Sequence, residues 1–155
     1  MTIKSISPFL WFNTEAGEAS QLYLSLFPGS HILNTSYYGK NMPMPEGSVM
    51  VVEMELAGQR LTLLNGGPHY KLSPAFSLLV NCEDQAEIDR LWTALGDGGF
   101  YSQCGWLTDR FGLSWQINYA GLAGLMTGGK GNAVMGAMMT MQKIDIQKLK
   151  DAAAS

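Results

Sequence analysis

The carboxylates Glu53 and Glu55 alternate within Ser48–Leu56, so a strand there would put both on one side. Facing a pocket, such a pair could move protons between substrate atoms. Facing water, it is the ordinary outer face of a strand. A second alternation runs through 113–118. Ser114, Gln116 and Asn118 share one face and Leu113, Trp115 and Ile117 the other, which predicts a polar, uncharged surface behind an apolar core. Cys104 and Trp106 sit on the stretch before it, and a Trp there could stack a planar ligand or pack in the core. His69 follows the break Gly66-Gly67-Pro68, where a surface loop is expected in the absence of an orienting partner. Gly124–Gly131 has nearly the spacing of a phosphate-binding loop. Gly131 replaces the hydroxyl residue that would hold magnesium, and no strand precedes it, so it reads as a linker.

Other chemistry is limited by residue counts. With two cysteines, Cys82 and Cys104, and two histidines, His31 and His69, the chain is too poor in soft ligands for a disulfide scaffold or a histidine-rich metal centre. Buried, inert thiols are the default for both cysteines. The net charge is −3 with no basic stripe, which argues against nucleic acid as a partner. No apolar run approaches the length of a membrane span, and Met1-Thr2-Ile3-Lys4 does not open a secretory leader, so a cytoplasmic protein is expected. Charged residues make up 15% against 46% hydrophobic, which points to a surface partly covered by a second copy.

The elements that must position these residues follow from periodicity. Ser5–Phe12 reads as a strand and Glu15–Phe27 as an amphipathic helix on Ala19, Leu22, Tyr23 and Leu26, stopped by Pro28-Gly29. Strands follow at His31–Tyr38, Ser48–Leu56, Gln59–Leu64 and Ala75–Asn81, with a turn at Ala57-Gly58. Asp84–Leu95 is a second helix lying over the first at a spacing of 69, from Glu15 to Asp84, with Ala19 over Ile88, Leu22 over Leu91 and Tyr23 over Trp92. The same spacing sets Phe9 over Leu78 and Leu10 over Leu79, so the chain reads as an internal repeat. Gln103–Thr108 and Leu113–Tyr119 are further strands around a hairpin turn, Asp109–Gly112, with a local ion pair expected between Asp109 and Arg110. The tail predicts short helices at Gly121–Met126, Asn132–Met141 and Ile146–Ala153, the last capped by Asp145. Met135, Met138, Met139 and Met141 read as helix packing or a dimer seam.

Pro8-Phe9-Leu10-Trp11-Phe12 with Glu18-Ala19 and Tyr23, Leu64-Asn65-Gly66-Gly67-Pro68, the block from Cys104-Gly105-Trp106 to Trp115-Gln116-Ile117, and the tail Met139–Ile146 resemble the PhnB-like branch of the vicinal oxygen chelate superfamily. That branch is also labelled demethylubiquinone 3-methyltransferase-like. The resemblance implies an α+β, glyoxalase-like fold in a single domain: two βαβββ modules, at about residues 3–67 and 73–120, then a helical tail at about 121–155. It also implies a half-open barrel around a pocket and a homodimer. The superfamily's metal-ligand positions fall on Pro8, Thr62, Ser77 and Gln116, three neutral oxygens and a proline, so no metal and no other cofactor is expected. The methyl-transfer label lacks its usual glycine-rich strand-to-helix turn, since Gly96–Gly99 follows a helix. The expected function is metal-free binding of a small, neutral or weakly polar organic molecule by Ser77, Gln116, Ser114, Thr62, Cys104 and Trp106. The alternatives are an enzyme on a small metabolite (a divergent lyase or isomerase, or a methyltransferase) and an interaction module, and whether any reaction is catalysed stays open.

Overall fold

The computed structural model describes residues 2–155. They form two compact units, the first ending at Leu72 and the second running from Ser73 to Ser155. Unit one contains β1 (Phe9–Phe12), α1 (Ala16–Leu26), β2 (His31–Tyr37), β3 (Val49–Leu56) and β4 (Gln59–Asn65), in a sheet of order β1-β4-β3-β2. Unit two repeats the pattern with β5 (Ser77–Cys82), α2 (Gln85–Gly96), β6 (Phe100–Tyr101), β7 (Trp106–Thr108) and β8 (Ser114–Tyr119), ordered β5-β8-β7-β6. It then adds α3 (Leu122–Leu125), α4 (Gly131–Met138) and α5 (Ile146–Ala154). In each unit the strand before the helix is parallel to the last strand and the other pairs are antiparallel. The architecture is therefore α+β, two βαβββ modules with helices at the C-terminal end.

Each sheet gives one face to its helix. In unit one Leu10, Phe12, Met54, Leu61 and Leu63 are buried with Ala16, Ala19 and Tyr23 of α1. Glu15 does not cap α1. Asn65 takes over that task from the end of β4, its Oδ1 accepting from the Ala16 amide at 2.7 Å and its Nδ2 donating to the Val49 carbonyl at 3.0 Å. The Tyr38 hydroxyl donates to the Asn65 carbonyl. In unit two Leu107, Trp115 and Ile117 are buried with Ile88, Leu91 and Leu95 of α2. Here Asp84 caps the helix through the Glu87 amide, and Asp145 caps α5 through the Lys148 amide, the second of these as expected from the sequence.

The internal repeat is present, with a one-residue correction. The helices superpose at 69, Ala19 on Ile88 and Tyr23 on Trp92. The strands before them superpose at 70, Phe12 on Cys82, each 2% exposed. Three residues, Asn13 to Glu15, join β1 to α1, whereas only Glu83 and Asp84 join β5 to α2. A one-residue change reverses a strand's faces. Leu10 is buried and Leu79, its expected equivalent, is 53% exposed.

Two further expectations change. Strand 5–12 is regular only from Phe9. Strand 103–108 begins at Trp106, because Cys104 and Gly105 have φ of 59° and 82° and form, with the Trp106 amide bonded to the Gln103 carbonyl at 3.0 Å, a tight hairpin turn. The partner strand of that hairpin is the two-residue β6. Asp109 is buried at 3% exposure, and its carboxylate accepts from the Phe111 and Leu113 amides at 2.9 and 3.1 Å and from the Trp115 indole at 2.9 Å. Arg110 lies over the Phe111 ring, 4.6 Å from its centroid. The edge strand β2 meets β3 with two register shifts, between Ile32 and Asn34 and between Ser36 and Tyr37.

Two outcomes follow. Asp109→Ala strands three donors around a buried turn and should lower stability by ~3 kcal/mol in urea unfolding. Cys104→Asn places the residue type that tolerates a left-handed backbone in the first turn position, and should raise stability by about 0.5 kcal/mol in the same assay.

Candidate functional site

The face of the second sheet away from α2 is built row by row from the strand register. Leu79, Gln116 and Trp106 are cross-strand neighbours, as are Ser77, Ser114, Thr108 and Phe100, and Asn81 pairs with Asn118. Gln116 Nε2 donates to Ser77 Oγ at 3.0 Å, which holds the amide beside the Trp106 strand position. The Ser114 and Thr108 hydroxyls lie 3.3 Å apart. Trp106, Gln116 and Ser77 are half-buried, while Leu79 and Phe100 are 53% and 61% exposed. The surface offers amides and hydroxyls between apolar side chains, and none of these residues carries a charge. It suits a neutral molecule with an apolar body and a hydrogen-bonding edge.

The matching face of unit one has a different chemistry. Thr62 lies between Phe9 and Glu53, and Leu64 between Trp11 and Val51. Glu55 shares this face, opposite Arg60 on one side and His31 on the other, with His31 Nε2 3.9 Å from the carboxylate. Glu53 and Glu55 thus point away from α1, to the same side as Thr62, and Glu53 is exposed. The Trp11 indole donates to the Gly67 carbonyl at 2.9 Å and its ring meets Tyr70 edge-on at 4.9 Å.

Of the six residues expected to contact a ligand, Ser77, Gln116, Ser114 and Trp106 share the open face of unit two, and Ser114 is 1% exposed beneath its neighbours. Thr62 lies on the open face of unit one. Cys104 stands in the hairpin turn rather than on a strand. Leu79, Asn81, Thr108 and Phe100 also lie on that face and were not expected there. The spacing of 70 exposes Leu79, and the Phe100-Tyr101 alternation after Gly98-Gly99 was the available signal for β6. Tyr101, on the opposite face from Phe100, stacks on Trp92 of α2 at 4.6 Å.

The remaining candidates resolve as structural features. Cys82 is 2% exposed, and burial, reinforced by Glu87, pushes its thiol up to about 11. It therefore stays protonated and unreactive at neutral pH. His69 is exposed in a turn, and Gly124–Gly131 spans the end of α3, a turn and the start of α4, with no strand before it. Met138 and Met141 pack inside, whereas Met135 and Met139 are exposed at 40% and 66%. A cleft of about 510 Å³ opens beside the first turns of α2 and α5 and the end of β8. Its Asp89 carboxyl is held below the usual range by hydrogen bonds from Gln85 and Lys143.

A resident metal and a methyl donor can each be tested against these residues. The spacing of 70 makes Leu78, rather than Ser77, the counterpart of Pro8, and Ser77 faces the opposite side from a residue in Pro8's register. Neither Pro8 nor Leu78 has a donor atom, and Thr62 and Gln116 supply neutral oxygens, so the residues at these positions do not fit a divalent ion. Among the described residues no group of three or more His, Cys, Asp or Glu converges. The β1–α1 and β5–α2 turns contain no glycine, so neither offers the close backbone approach on which a nucleotide-type methyl donor rests.

Residues 4–118 match the model of the 3-demethylubiquinone-9 3-methyltransferase family. The tail, including Met139–Ile146, lies beyond that match. A solved PhnB protein of Bacillus cereus, described as a candidate 3-demethylubiquinone-9 3-methyltransferase, is 34% identical. The alignment covers 73% of this chain and 97% of that one, at a TM-score of 0.68. A solved Pseudomonas aeruginosa protein is 25% identical over 73% of this chain and 95% of its own, at a TM-score of 0.60. An Arabidopsis thaliana gene product, 19% identical, shares the fold at a TM-score of 0.52, covering 74% of this chain and 97% of its own. No functionally curated protein matches the chain. On the family match and the Bacillus cereus relative together, the chain belongs to the PhnB-like, 3-demethylubiquinone-9 3-methyltransferase-like family.

Proposed function

We propose that this protein binds a small, neutral organic molecule without a metal, as a cytoplasmic homodimer of the vicinal oxygen chelate superfamily. The observation that carries the reading is the open face of unit two, where Ser77 fixes the Gln116 amide beside Trp106 and the paired strand residues on that face are all uncharged. Trp106 supplies a planar apolar wall, and Gln116, Thr108 and Asn118 supply hydrogen bonds. A hydrogen bond to Ser77 made before ligand arrives lowers the entropy lost on binding.

One observation favours a second reading. Glu53 is exposed directly beside Thr62 on the open face of unit one, where a carboxylate could act as a general base on a small metabolite. That reading requires turnover, and Glu53→Gln should then lower kcat more than it raises KM.

Native mass spectrometry before and after denaturation, with elemental metal analysis, separates the two. The binding reading expects a dimer without stoichiometric metal, and any co-purifying organic mass should disappear in Gln116→Leu and Trp106→Ala. A stoichiometric divalent metal would overturn it. So would substrate turnover that depends on Glu53 and survives both substitutions.

A further inference from the structure

The turn that leads into Trp106 is held by chain from far downstream. Cys104 and Gly105 occupy the two central positions of the turn with positive φ, a backbone state that costs a Cys about 1–2 kcal/mol. Their amides point out of the hairpin. Cys104 N–H donates to the Met141 carbonyl at 2.9 Å and Gly105 N–H to the Gln142 carbonyl at 2.8 Å. The Gly105 carbonyl accepts from the Ile117 amide at 2.7 Å, so the turn is tied to β8 as well. A side chain at Gly105 would run into Ile117 and Ile144, at 2.7 and 3.0 Å.

The segment supplying those carbonyls is itself fastened to α2. Gln85 Nε2 donates to the Ile144 carbonyl at 2.9 Å and to Asp89 at 3.0 Å, while Gln85 Oε1 accepts from the Ile146 amide at 2.8 Å. Lys143 pairs with Asp89 at 2.9 Å, and Ile144 is fully buried. One side chain therefore grips the strap on both sides of Asp145. The strap itself, residues 141–146, lies beyond residue 118, where the family match ends, while Gln85, Asp89, Cys104 and Gly105 lie within it.

We infer that residues 141–146 form a clip that holds the strained Cys104-Gly105 turn and so sets the position of Trp106 on the open face, with Gln85 as the positioning residue. The inference takes its functional meaning from the binding reading of that face. Its mechanical content stands apart from any ligand. Without the clip the turn has no partner for its two outward amides, and a Cys-Gly pair lacks the intrinsic preference that Asn-Gly would give it. The loop is then free to leave the positive-φ state, and Trp106 moves with it.

The test uses the full chain without ligand. In native-state hydrogen exchange with increasing urea, the Cys104, Gly105 and Ile146 amides of the unmodified protein should exchange through one shared opening, at a lower free energy than the Ile88 and Leu91 amides. Gln85→Met keeps side-chain length and helix preference. It should speed exchange at Cys104 and Gly105 by about tenfold or more and leave Ile88 and Leu91 unchanged. In fluorotryptophan-labelled protein the Trp106 resonance should shift or broaden, while those of Trp11 and Trp115 stay in place. Unlinked openings in the unmodified protein would overturn the clip, as would a variant in which all four amides accelerate equally or Trp106 is unmoved. A co-purifying organic mass that survives Gln116→Leu and Trp106→Ala while the clip is intact would instead count against the binding reading alone.

Discussion

The parallel ladder between β5 and β8 decides what the second unit can do. It aligns Ser77 with Ser114, Leu79 with Gln116 and Asn81 with Asn118, so these amides and hydroxyls arrive on one side. The other side is chosen by bulk. Trp115, Ile117 and Leu107 together remove far more apolar surface from water than the polar set could, at roughly 1.5–3 kcal/mol for each large side chain, and α2 is the element that covers them. The polar face is what remains. Its composition is set by the needs of the core as much as by any ligand, and the Gln116–Ser77 bond follows from the register that sets the two residues diagonally on one face.

Most of this arrangement is legible in the residues, and the main exception is a matter of strand parity. Helix periodicity tolerates error: Ala19 over Ile88 and Tyr23 over Trp92 remain correct because three or four matched positions define a helix face. Strand parity does not. Losing one residue between Cys82 and α2, relative to Phe12 and α1, leaves the helix repeat intact and exchanges Leu79 with the residues beside it. No feature of composition marks that deletion. The alternation within 113–118 needed no alignment and placed Ser114 and Gln116 on the right face. The Cys104-Gly105 turn was hidden because Cys is an unusual occupant of a positive-φ position, and the residues that hold it there lie near 141 and 142. Adjacency points only to Arg110 as a partner for Asp109, and the Trp115 indole, six residues away, reaches it only in the fold.

The family name refers to a reaction, and the two modules differ in how much reaction chemistry they carry. Unit one holds Glu53, Glu55, His31 and Arg60 on its open face, while the same face of unit two holds amides and hydroxyls. Two copies of one fold have kept the same backbone and separated their surfaces, one charged and one neutral. In a repeat protein that divergence is inexpensive, because the helix-covered faces alone maintain each core.

The edges of the sheets carry one more implication, for self-association through unpaired backbone. A free edge is a template for strand addition, and short, bulged or proline-preceded strands are poor templates. Three of the four edges have such protection: Pro8 stands before the four-residue β1, β2 loses register twice, and β6 has two residues. The outer edge of β5 runs unbulged for six residues, with Leu79 exposed at its centre and Pro74 too far upstream to interrupt it. Amyloid-like strand stacking, when the chain is stressed, has its most regular starting edge there, on the strand that also supplies Ser77.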